Sequence, residues 1–564
     1  MITFFTALLL CFIQHTTASI WPPPRHETYR HDLPPLYITS STRFVSTTSS
    51  SPILTAAFQR YNLILQRYLE TTNRTPPTLH AVLHNVTVII VSPQQALDNL
   101  EHLSGNTSFR YNLTLQSAAT ATATITADTV FGAMHGLETF VQLFRHGSSP
   151  VSHIRDEPKY QWRGLMLDVG RRFSTVSMIQ TLLDTMASLK MSVLHFHASD
   201  YCRWSIESKL YPQLHMSKLQ PGMKDAGYFT QDDVRHIVSY AKERGIRVVP
   251  EFDLPGHVYQ WAQTLVETNT GLTVCSGTDV TIYNDPAEKS FHVLHALLGE
   301  MTSLFEDDVF HIGMDEVVEP LPCTSNGTLK LKQKLLLAMQ NDFGKQVMGW
   351  NPIASVALSL PNISHSNIII NSYMGSVSTF VKNGFTVVDS SSDHWYQYLT
   401  HPAGWDQKVE CRPAGCSGPA GWDMCWYPPG GPLGGDQILG GEVSAWTDDY
   451  VKRECGAHGP KLGLANASCY YSRTMDKGFA ASLGGLIWPR GIVAAGAFYN
   501  YNNTVNASSP EFVEKIHQMT EHLQTRGLYV CPTSKVCSYV MEGNVLYPGI
   551  NRSKLNGFSC ASQD

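Results

Sequence analysis

The chain has 564 residues, of which 43% are hydrophobic and 16% are charged, and its formal net charge is −6. This length and composition indicate a globular protein of two or more domains, and they exclude a disordered or collagen-like chain. The charge is weakly acidic and the sequence has no polybasic run, so we expect no nucleic-acid partner and find no argument for a membrane-surface partner.

The first 18 residues have the features of a secretory signal. The apolar run from Ile2 to Ile13 is too short to cross a bilayer, and Thr16-Thr17-Ala18 forms a small-residue cleavage site. A short buried N-terminal segment is the alternative interpretation. Because no later apolar run reaches the ~18 residues of a membrane-spanning helix, we expect no transmembrane segment. The predicted location is the secretory pathway, either extracellular or in a lysosome or vacuole.

Sequons and cysteines both favour export. An oxidising compartment should pair most of the 11 cysteines that follow the signal; their odd number leaves one free or intermolecular, and none shows zinc-site spacing. N-x-S/T sequons predict surface glycosylation. The ten sequon asparagines are Asn73, Asn85, Asn106, Asn112, Asn326, Asn362, Asn466, Asn502, Asn506 and Asn551.

Residues 19–155 are predicted to form a smaller α+β domain. The alternating runs HAVLHNVTVIIVS and TATATITADT are typical of strands. Apolar residues recur with helical spacing in SPILTAAFQRYNLILQRYLETT and in FGAMHGLETFVQLF, which predicts two helices.

Residues 156–510 alternate short apolar runs with longer helical ones, as expected for parallel βαβ units. Eight strand-like runs predict a (β/α)8 TIM barrel, so the fold class is α/β. An open doubly wound sheet is the alternative, but no glycine-rich phosphate loop follows the first strand. Residues 511–564 are predicted to form a C-terminal helix and a disulfide-tied tail. The eight runs are RGLMLDVG, MSVLHFHASD, IRVVPEFDLPGH, DVFHIGMDEV, QVMGWN, NIIINSY, FTVVDSSSD and ILGGEVSAW.

Polar residues gather at the C-terminal ends of these runs. Each one alone is explained by a helix cap or a satisfied core histidine, but together they predict one barrel mouth, where active sites are built. Carboxylates with tryptophans and an arginine are typical of a sugar-binding cleft. The residues are Asp168, Arg171, His197, Asp200, Glu251, Asp253, His257, Asp315, Glu316, Trp350, Asp393, Trp446 and Asp448.

The adjacent carboxylates Asp315 and Glu316 follow the strand-like run DVFHIGM. Paired carboxylates of glycosidases lie on both sides of the scissile bond, ~5–5.5 Å apart when they retain and ~6.5–9.5 Å apart when they invert configuration. Adjacent residues would approach the sugar from one side. The acetamido group of an N-acetylhexosamine removes the need for an enzyme nucleophile, because its own carbonyl oxygen can attack the anomeric carbon.

The motifs RGLMLDVGRRF, HFHASD, GIRVVPEFDLPGH, HIGMDEV, LGGEVSAW and IWPR occur in this order. Together they resemble the β-N-acetylhexosaminidases of glycoside hydrolase family 20, from about residue 155 to 500. The resemblance implies exo-acting, retaining removal of terminal GlcNAc or GalNAc, with no cofactor or metal. It suggests N-glycans, chitin oligomers or glycolipids as substrates, and a homodimer as the oligomer to look for.

The resemblance also implies roles for individual residues. Glu316 would be the general acid/base and Asp315 would hold the acetamide, while Tyr396, with Tyr398 as a competitor, would bind the acetamide oxygen. Cys275 and Cys323 match a family disulfide. The implied substrate-binding residues are Arg171, Asp200, His257, Trp350, Tyr396, Trp446 and Asp448.

Three features depart from the family pattern: Asp448 stands in place of a glutamate, Tyr373 in place of a tryptophan, and the segment after WPR lacks the usual Glu and Trp. They motivate one alternative of another class, a catalytically weak glycan-binding protein at a cell surface. A further alternative keeps the chemistry but changes the substrate to chitin oligomers or lacto-N-biose-type disaccharides.

Overall fold

The structure is a computed structural model that describes most of the chain from residue 19 onward. The predicted signal, Tyr398, Asp448, Cys323 and the sequons at Asn73, Asn466 and Asn551 lie outside the described residues. The described residues are 19–47, 51–71, 81–91, 101–117, 120–201, 203–215, 227–276, 280–317, 325–375, 377–397, 409–410, 425–431, 433–447, 483–484, 487–528, 530, 536–539 and 558–561.

The N-terminal domain is a mixed six-stranded sheet with two helices and a core of its own. Helix α1 buries Leu54, Tyr61, Leu65 and Tyr68, which recur on one face as the helical period requires. The sheet order is β1-β6-β4-β5-β3-β2. The elements are β1 His26–Arg30, β2 Arg43–Ser46, α1 Pro52–Thr71, β3 Asn85–Ile90, β4 Tyr111–Ser117, β5 Ala121–Ala127, α2 Val130–Leu143 and β6 Val151–Asp156.

Eight parallel strands form a closed barrel in sequence order. Closure is visible at Gly164 in the first strand, which pairs with Val193 of the second and with Glu442 of the last. The (β/α)8 prediction and the preceding α+β domain are therefore confirmed. The strands are β7 Trp162–Asp168, β8 Val193–Asp200, β9 Arg247–Leu254, β10 Val309–Gly313, β11 Gln346–Trp350, β12 Ile368–Ser372, β13 Thr386–Asp389 and β14 Ile438–Ala445.

Helices surround the barrel and bury their apolar faces against it. Side chains set where several helices begin: Thr175 caps one, and Thr230 with Asp233 forms a capping box at the next. The helices are α3 Val176–Ser188, α4 Gln231–Lys242, α5 Tyr259–Glu267, α6 Lys289–Thr302, α7 Ser325–Asn341, α8 Ile353–Leu358, α9 Val377–Lys382, α10 Arg490–Asn500 and α11 Pro510–Thr525.

Short elements complete the described part. In the described ranges, every helix is either too short or too polar to cross a membrane.

The domain limits at 155 and 510 stay a prediction, with β6 ending at Asp156 and α11 beginning at Pro510. The short strands are Leu36–Tyr37, Ser148–Ser149, Arg203–Trp204, Val274–Ser276, Val280–Ile282, Tyr396–Gln397, Val409–Glu410, Val536–Tyr539 and Phe558–Ala561, and the 3-10 turns are Pro212–Leu214 and His365–Asn367.

Some of the cysteines and sequon asparagines that predict export lie within the described residues. Cys275 is disulfide-bonded, but its predicted partner Cys323 lies outside the described residues, so the pairing stays a prediction. Glycosylation likewise stays a prediction: Asn112 is half-buried, and Asn326 lies in the first turn of α7. The exposed sequon asparagines are Asn85, Asn106, Asn362, Asn502 and Asn506.

Candidate active site

The chain turns sharply where β10 ends, and this turn separates the two adjacent carboxylates. Gly313, Met314 and Glu316 have φ values of 68°, 82° and 41°, in the left-handed region that side chains other than glycine rarely adopt. Asp315 is buried at 7% exposure, whereas the side chain of Glu316 is 64% exposed. The pair is therefore not part of an extended strand with alternating faces.

His257 lies between the two carboxylates and a third one beneath them. Its Nδ1 donates to Oδ2 of Asp253 at 2.6 Å, and its Nε2 lies 3.4 Å from Oε2 of Glu316. Nδ1 also lies 4.0 Å from Oδ2 of Asp315. Burial opposes the charged imidazolium, but the carboxylates of Asp253 and Asp200 outweigh it and raise the pKa of His257 well above its usual value.

Asp315 and Glu316 have opposite electrostatic environments. Burial, together with the negative charge of Asp253, raises the pKa of Asp315 well above its ordinary value. The hydrogen bond from His257 lowers the pKa of Glu316 despite some desolvation. Oδ1 of Asp315 is buried and has no hydrogen-bond partner among the described residues. A buried unpaired acceptor is costly, so this atom is suited to a donor supplied by a ligand.

Arg171 follows β7 and joins the ends of two strands. Its NH1 donates to Oδ2 of Asp168 and its NH2 pairs with Oδ2 of Asp200, both at 3.0 Å. The guanidinium also lies 5.0 Å from the ring centroid of Trp446, and its side chain remains 12% exposed. The two carboxylates thus hold the guanidinium of Arg171 at the barrel mouth and fix the direction of its N–H donors.

Aromatic side chains form the other side of the mouth. Trp350, Tyr396 and Trp446 cluster with Met166, and the partly buried Tyr373 packs against them. Trp350 is fully buried at 0%, beneath Tyr373 at 5.6 Å and Trp446 at 5.7 Å between ring centroids. Trp350 is therefore the floor of this cluster and not an exposed wall.

The structure brings together nearly every site residue predicted from the sequence. Asp393 is different, since β13 ends at Asp389 and Asp393 lies exposed in the turn that follows. Sequence reasoning did not assign site roles to Asp168, Asp253 and Glu251, which hold Arg171, His257 and Trp350 in place. Their position in the same strand-end runs was the available signal.

Three groups of histidines and carboxylates among the described residues bring donor atoms within 4.8 Å of one another. Most of these atoms already serve ion pairs or hydrogen bonds with Arg171, with Trp350 or within the groups, so internal pairing accounts for them. The groups are His195, Glu251 and His311; Asp168, His197 and Asp200; and Asp200, Asp253 and His257.

Comparison with known proteins identifies the family of this chain. Residues 160–454 match the model of the glycosyl hydrolase family 20 catalytic domain, and residues 20–143 match that of a β-acetyl hexosaminidase-like domain. The chain belongs to glycoside hydrolase family 20. The resemblance read from its motifs is thus confirmed over more than half of the sequence.

Individual relatives of this family 20 chain agree. It is 37% identical over 214 residues to β-hexosaminidase subunit A2 of Dictyostelium discoideum, covering 36% of this chain and only 38% of that protein. It is 25% identical over 459 residues to a β-hexosaminidase of Emericella nidulans, covering 72% of each. The structure of a Flavobacterium johnsoniae chitobiase shares the fold, with a TM-score of 0.65 and 23% identity over 92% of this chain and 74% of that one.

Proposed function

We propose that this family 20 protein is an exo-acting β-N-acetylhexosaminidase that removes terminal non-reducing GlcNAc or GalNAc with retention of configuration. The observation that carries the proposal is the buried Oδ1 of Asp315, which has no hydrogen-bond partner in the described part of the chain, beside the exposed carboxyl of Glu316. The first atom is suited to accept from an acetamide N–H. The second is placed to reach the oxygen of a leaving group.

The reaction proceeds in two steps. First, the acetamide carbonyl oxygen of the substrate attacks C1 while the carboxyl of Glu316 gives its proton to the departing glycosidic oxygen. An oxazolinium ion remains, and the Asp315 carboxylate accepts its N–H and balances its charge. Water then attacks C1 and gives a proton to Glu316. This attack opens the oxazolinium ring and releases the free N-acetylhexosamine. Two inversions at C1 give net retention.

Substrate binding shifts the pKa values of Asp315 and Glu316 in opposite directions. The acetamide N–H stabilises the ionised form of Asp315 and lowers its pKa, because a hydrogen bond to the charged form favours that form. The bound sugar also removes water from Glu316, which raises its pKa and favours the protonated acid. The Michaelis complex thus acquires the ionisation states that the chemistry requires.

The remaining residues fit one sugar ring. Arg171, held by Asp168 and Asp200, is positioned for the sugar hydroxyls, and Trp446 and Tyr396 border the acetamide. A pocket for one terminal residue fits N-glycans, chitin oligomers and glycolipids alike. We propose a location in the secretory pathway, outside the cell or in a lysosome or vacuole, and a homodimer as the form to test in solution.

The weak glycan-binding alternative has less support. Its motivation was Asp448, which lies outside the described residues, Tyr373, which packs into the aromatic cluster beside Trp350, and the segment after WPR, which forms helix α10. The complete assembly of Asp315, Glu316 and His257 favours catalysis.

The proposal is tested by changing each carboxylate separately. We expect Asp315→Asn to lower kcat/KM for 4-nitrophenyl N-acetylglucosaminide by roughly 100-fold or more, because the intermediate loses its counter-charge. We expect Glu316→Gln to slow the turnover of natural glycans about 100- to 10,000-fold, because their leaving groups need protonation. Asp232→Asn, at a side chain 94% exposed on α4, is the control and should retain wild-type rates.

A near-normal rate for Asp315→Asn would contradict the substrate-assisted mechanism. Absence of hydrolysis by the wild type from acid to neutral pH, combined with retained glycan binding, would support the lectin.

A further inference from the structure

One buried carboxylate, Glu251 in β9, connects the aromatic side of the site with its cationic side. Its Oε1 accepts from the indole Nε1 of Trp350 at 2.7 Å. Its Oε2 lies 2.5 Å from Nδ1 of His197 and 2.9 Å from Nε2 of His195. Glu251 has 0% exposure and therefore cannot touch a substrate.

This environment is unusual for the inside of a TIM barrel, which is normally filled by Val, Ile and Leu. Burial disfavours a charged carboxylate, but the neighbouring His197, His311 and His195 outweigh burial and lower the pKa of Glu251 well below its ordinary value. His195 lies between Glu251 and Glu442, and these carboxylates raise its pKa to about 9 despite burial. A charged network is thus fixed in the interior.

Each neighbour of Glu251 leads to a different part of the site. Trp350 is the floor on which Tyr373 and Trp446 pack. His197 donates to Asp200 at 2.8 Å, and Asp200 pairs with Arg171 at 3.0 Å. The His197 ring also packs edge-on against Trp446, with 5.1 Å between centroids.

We infer that Glu251 is a positioning residue that fixes the Trp350 indole, and thereby the depth of the N-acyl pocket, while it aligns Asp200 and Arg171 through His197. It acts through these residues and takes no part in bond making. The inference rests on the proposed function, and it predicts that Glu251 controls which N-acyl groups the enzyme accepts.

The barrel contains a matched control. Glu442 is also 0% exposed, is also bound by His195, and also accepts from an indole N–H, that of Trp162 at 3.1 Å. Trp162 is the first residue of β7, at the end of the barrel opposite the mouth. A purely structural role would make the Glu251→Gln and Glu442→Gln variants alike.

The experiment compares kcat/KM for 4-nitrophenyl glucosaminides that carry N-acetyl or N-propionyl groups. One methylene in a fitted pocket should give the wild type about a 10- to 200-fold preference for N-acetyl. We expect Glu251→Gln to reduce this preference at least fivefold, because the single amide oxygen of glutamine cannot accept from both Trp350 and His197. Glu442→Gln should keep the wild-type ratio even if its Tm falls.

Trp350→Phe tests the same link without changing Glu251, since it keeps an aromatic floor but removes the N–H, and it should also reduce the preference. This second variant decides the matter if Glu251→Gln does not fold. An unchanged ratio in the folded Glu251→Gln or Trp350→Phe variant, or an equal change in Glu442→Gln, would overturn the inference while leaving the proposed function intact. A wild type that hydrolyses neither substrate would instead overturn the proposed function.

Discussion

Asp315 and Glu316 are neighbours in the chain, but they are prepared for different tasks. The left-handed backbone around them places one side chain among buried acids and the other at the rim beside His257. A negative charge on one carboxyl group disfavours ionisation of the other, so the two groups titrate as a coupled pair. The form proposed to be active carries one proton in total.

This ionisation predicts a bell-shaped dependence of kcat/KM on pH. Activity should fall at low pH when the pair takes up a second proton, and the lowered pKa of Glu316 places this limb in the acid range, while the raised pKa of Asp315 governs the loss of the last proton. Activity should fall again at high pH, when the pair loses its last proton. Initial rates with a 4-nitrophenyl substrate across this range measure both limbs.

In the Asp315→Asn variant the acid limb should disappear and the alkaline limb should move to lower pH, because the neighbouring negative charge is gone. An acid limb that persists unchanged in this variant would show that another group controls it.

Gly313 permits the turn that places the pair. Its φ is +68°, and an added Cβ would overlap Oδ1 of Asp253, the acceptor side chain that holds His257. We expect Gly313→Ala to lower kcat/KM at least tenfold, in addition to the ~1–2 kcal/mol of left-handed strain. Steady-state kinetics and urea unfolding measure the two effects.

Gly344→Ala is the matched control, because Gly344 has a φ of +64° but no described residue lies within 4 Å of an added Cβ. It should lose only the ~1–2 kcal/mol of left-handed strain and keep its activity. Equal activity in both variants would show that displacement of Asp253 does not matter.

At the scale of elements, the C-terminal helix α11 is joined to the N-terminal domain by a buried ion pair. Arg526, its C-cap, donates to both carboxylate oxygens of Glu138 in α2, at 2.8 and 3.0 Å. The same guanidinium donates to Ser188 of α3 and to Tyr68 of α1. One arginine therefore connects four helices.

Removal of the Glu138 carboxylate should lower the free energy of unfolding. Burial opposes ionisation, but Arg526 and His522 lower the pKa of Glu138 to about 2. Its stabilising contribution is therefore complete above its ordinary pKa of about 4.3 and is lost as the pH falls toward 2. We expect Glu138→Gln to reduce the unfolding free energy by about 3–5 kcal/mol at pH 7 and to reduce its dependence on pH below about 4.3.

Denaturant unfolding at several pH values tests this prediction. Glu306→Gln, in an exposed pair with Lys242, is the control and should change stability by about 1 kcal/mol or less. A similarly small change in Glu138→Gln would contradict the importance of the buried pair.

At the scale of the whole molecule, Asp156 joins the two domains. It ends β6, and its Oδ2 accepts from Tyr111 of the N-terminal sheet and from Tyr499 of α10, both at 2.8 Å. The same oxygen accepts from the fully buried Lys190 at 3.1 Å. Lys190 thus depends on a counter-charge from the other domain.

This dependence predicts that the described domains unfold together. We expect one calorimetric transition in the wild type, and we expect Asp156→Asn to lower its Tm because the Lys190 charge is left buried without a partner, at about 3–5 kcal/mol. Asp128→Asn, which breaks an exposed pair with Arg110, should have little effect. Two separate wild-type transitions would contradict this coupling.

Much of the fold follows from local patterns in the sequence. All eight barrel strands were predicted, because strands buried on both faces are continuous apolar runs that end in polar residues. Several strands of the N-terminal sheet, such as His26–Arg30 and Val151–Asp156, were not predicted, because their alternating polar residues resemble loops in a Ser- and Thr-rich region.

For this protein, the sequence by itself determined the family and the barrel and predicted most of the residues at its mouth, since motif identity and hydrophobic period are local properties. Only the tertiary structure decided that Asp315 is buried and Glu316 exposed, that Trp350 is a floor, and that Glu251 connects both sides of the site. Burial, backbone turns and pKa values depend on residues that are distant in the chain. No local pattern in the sequence shows which of these distant residues come into contact.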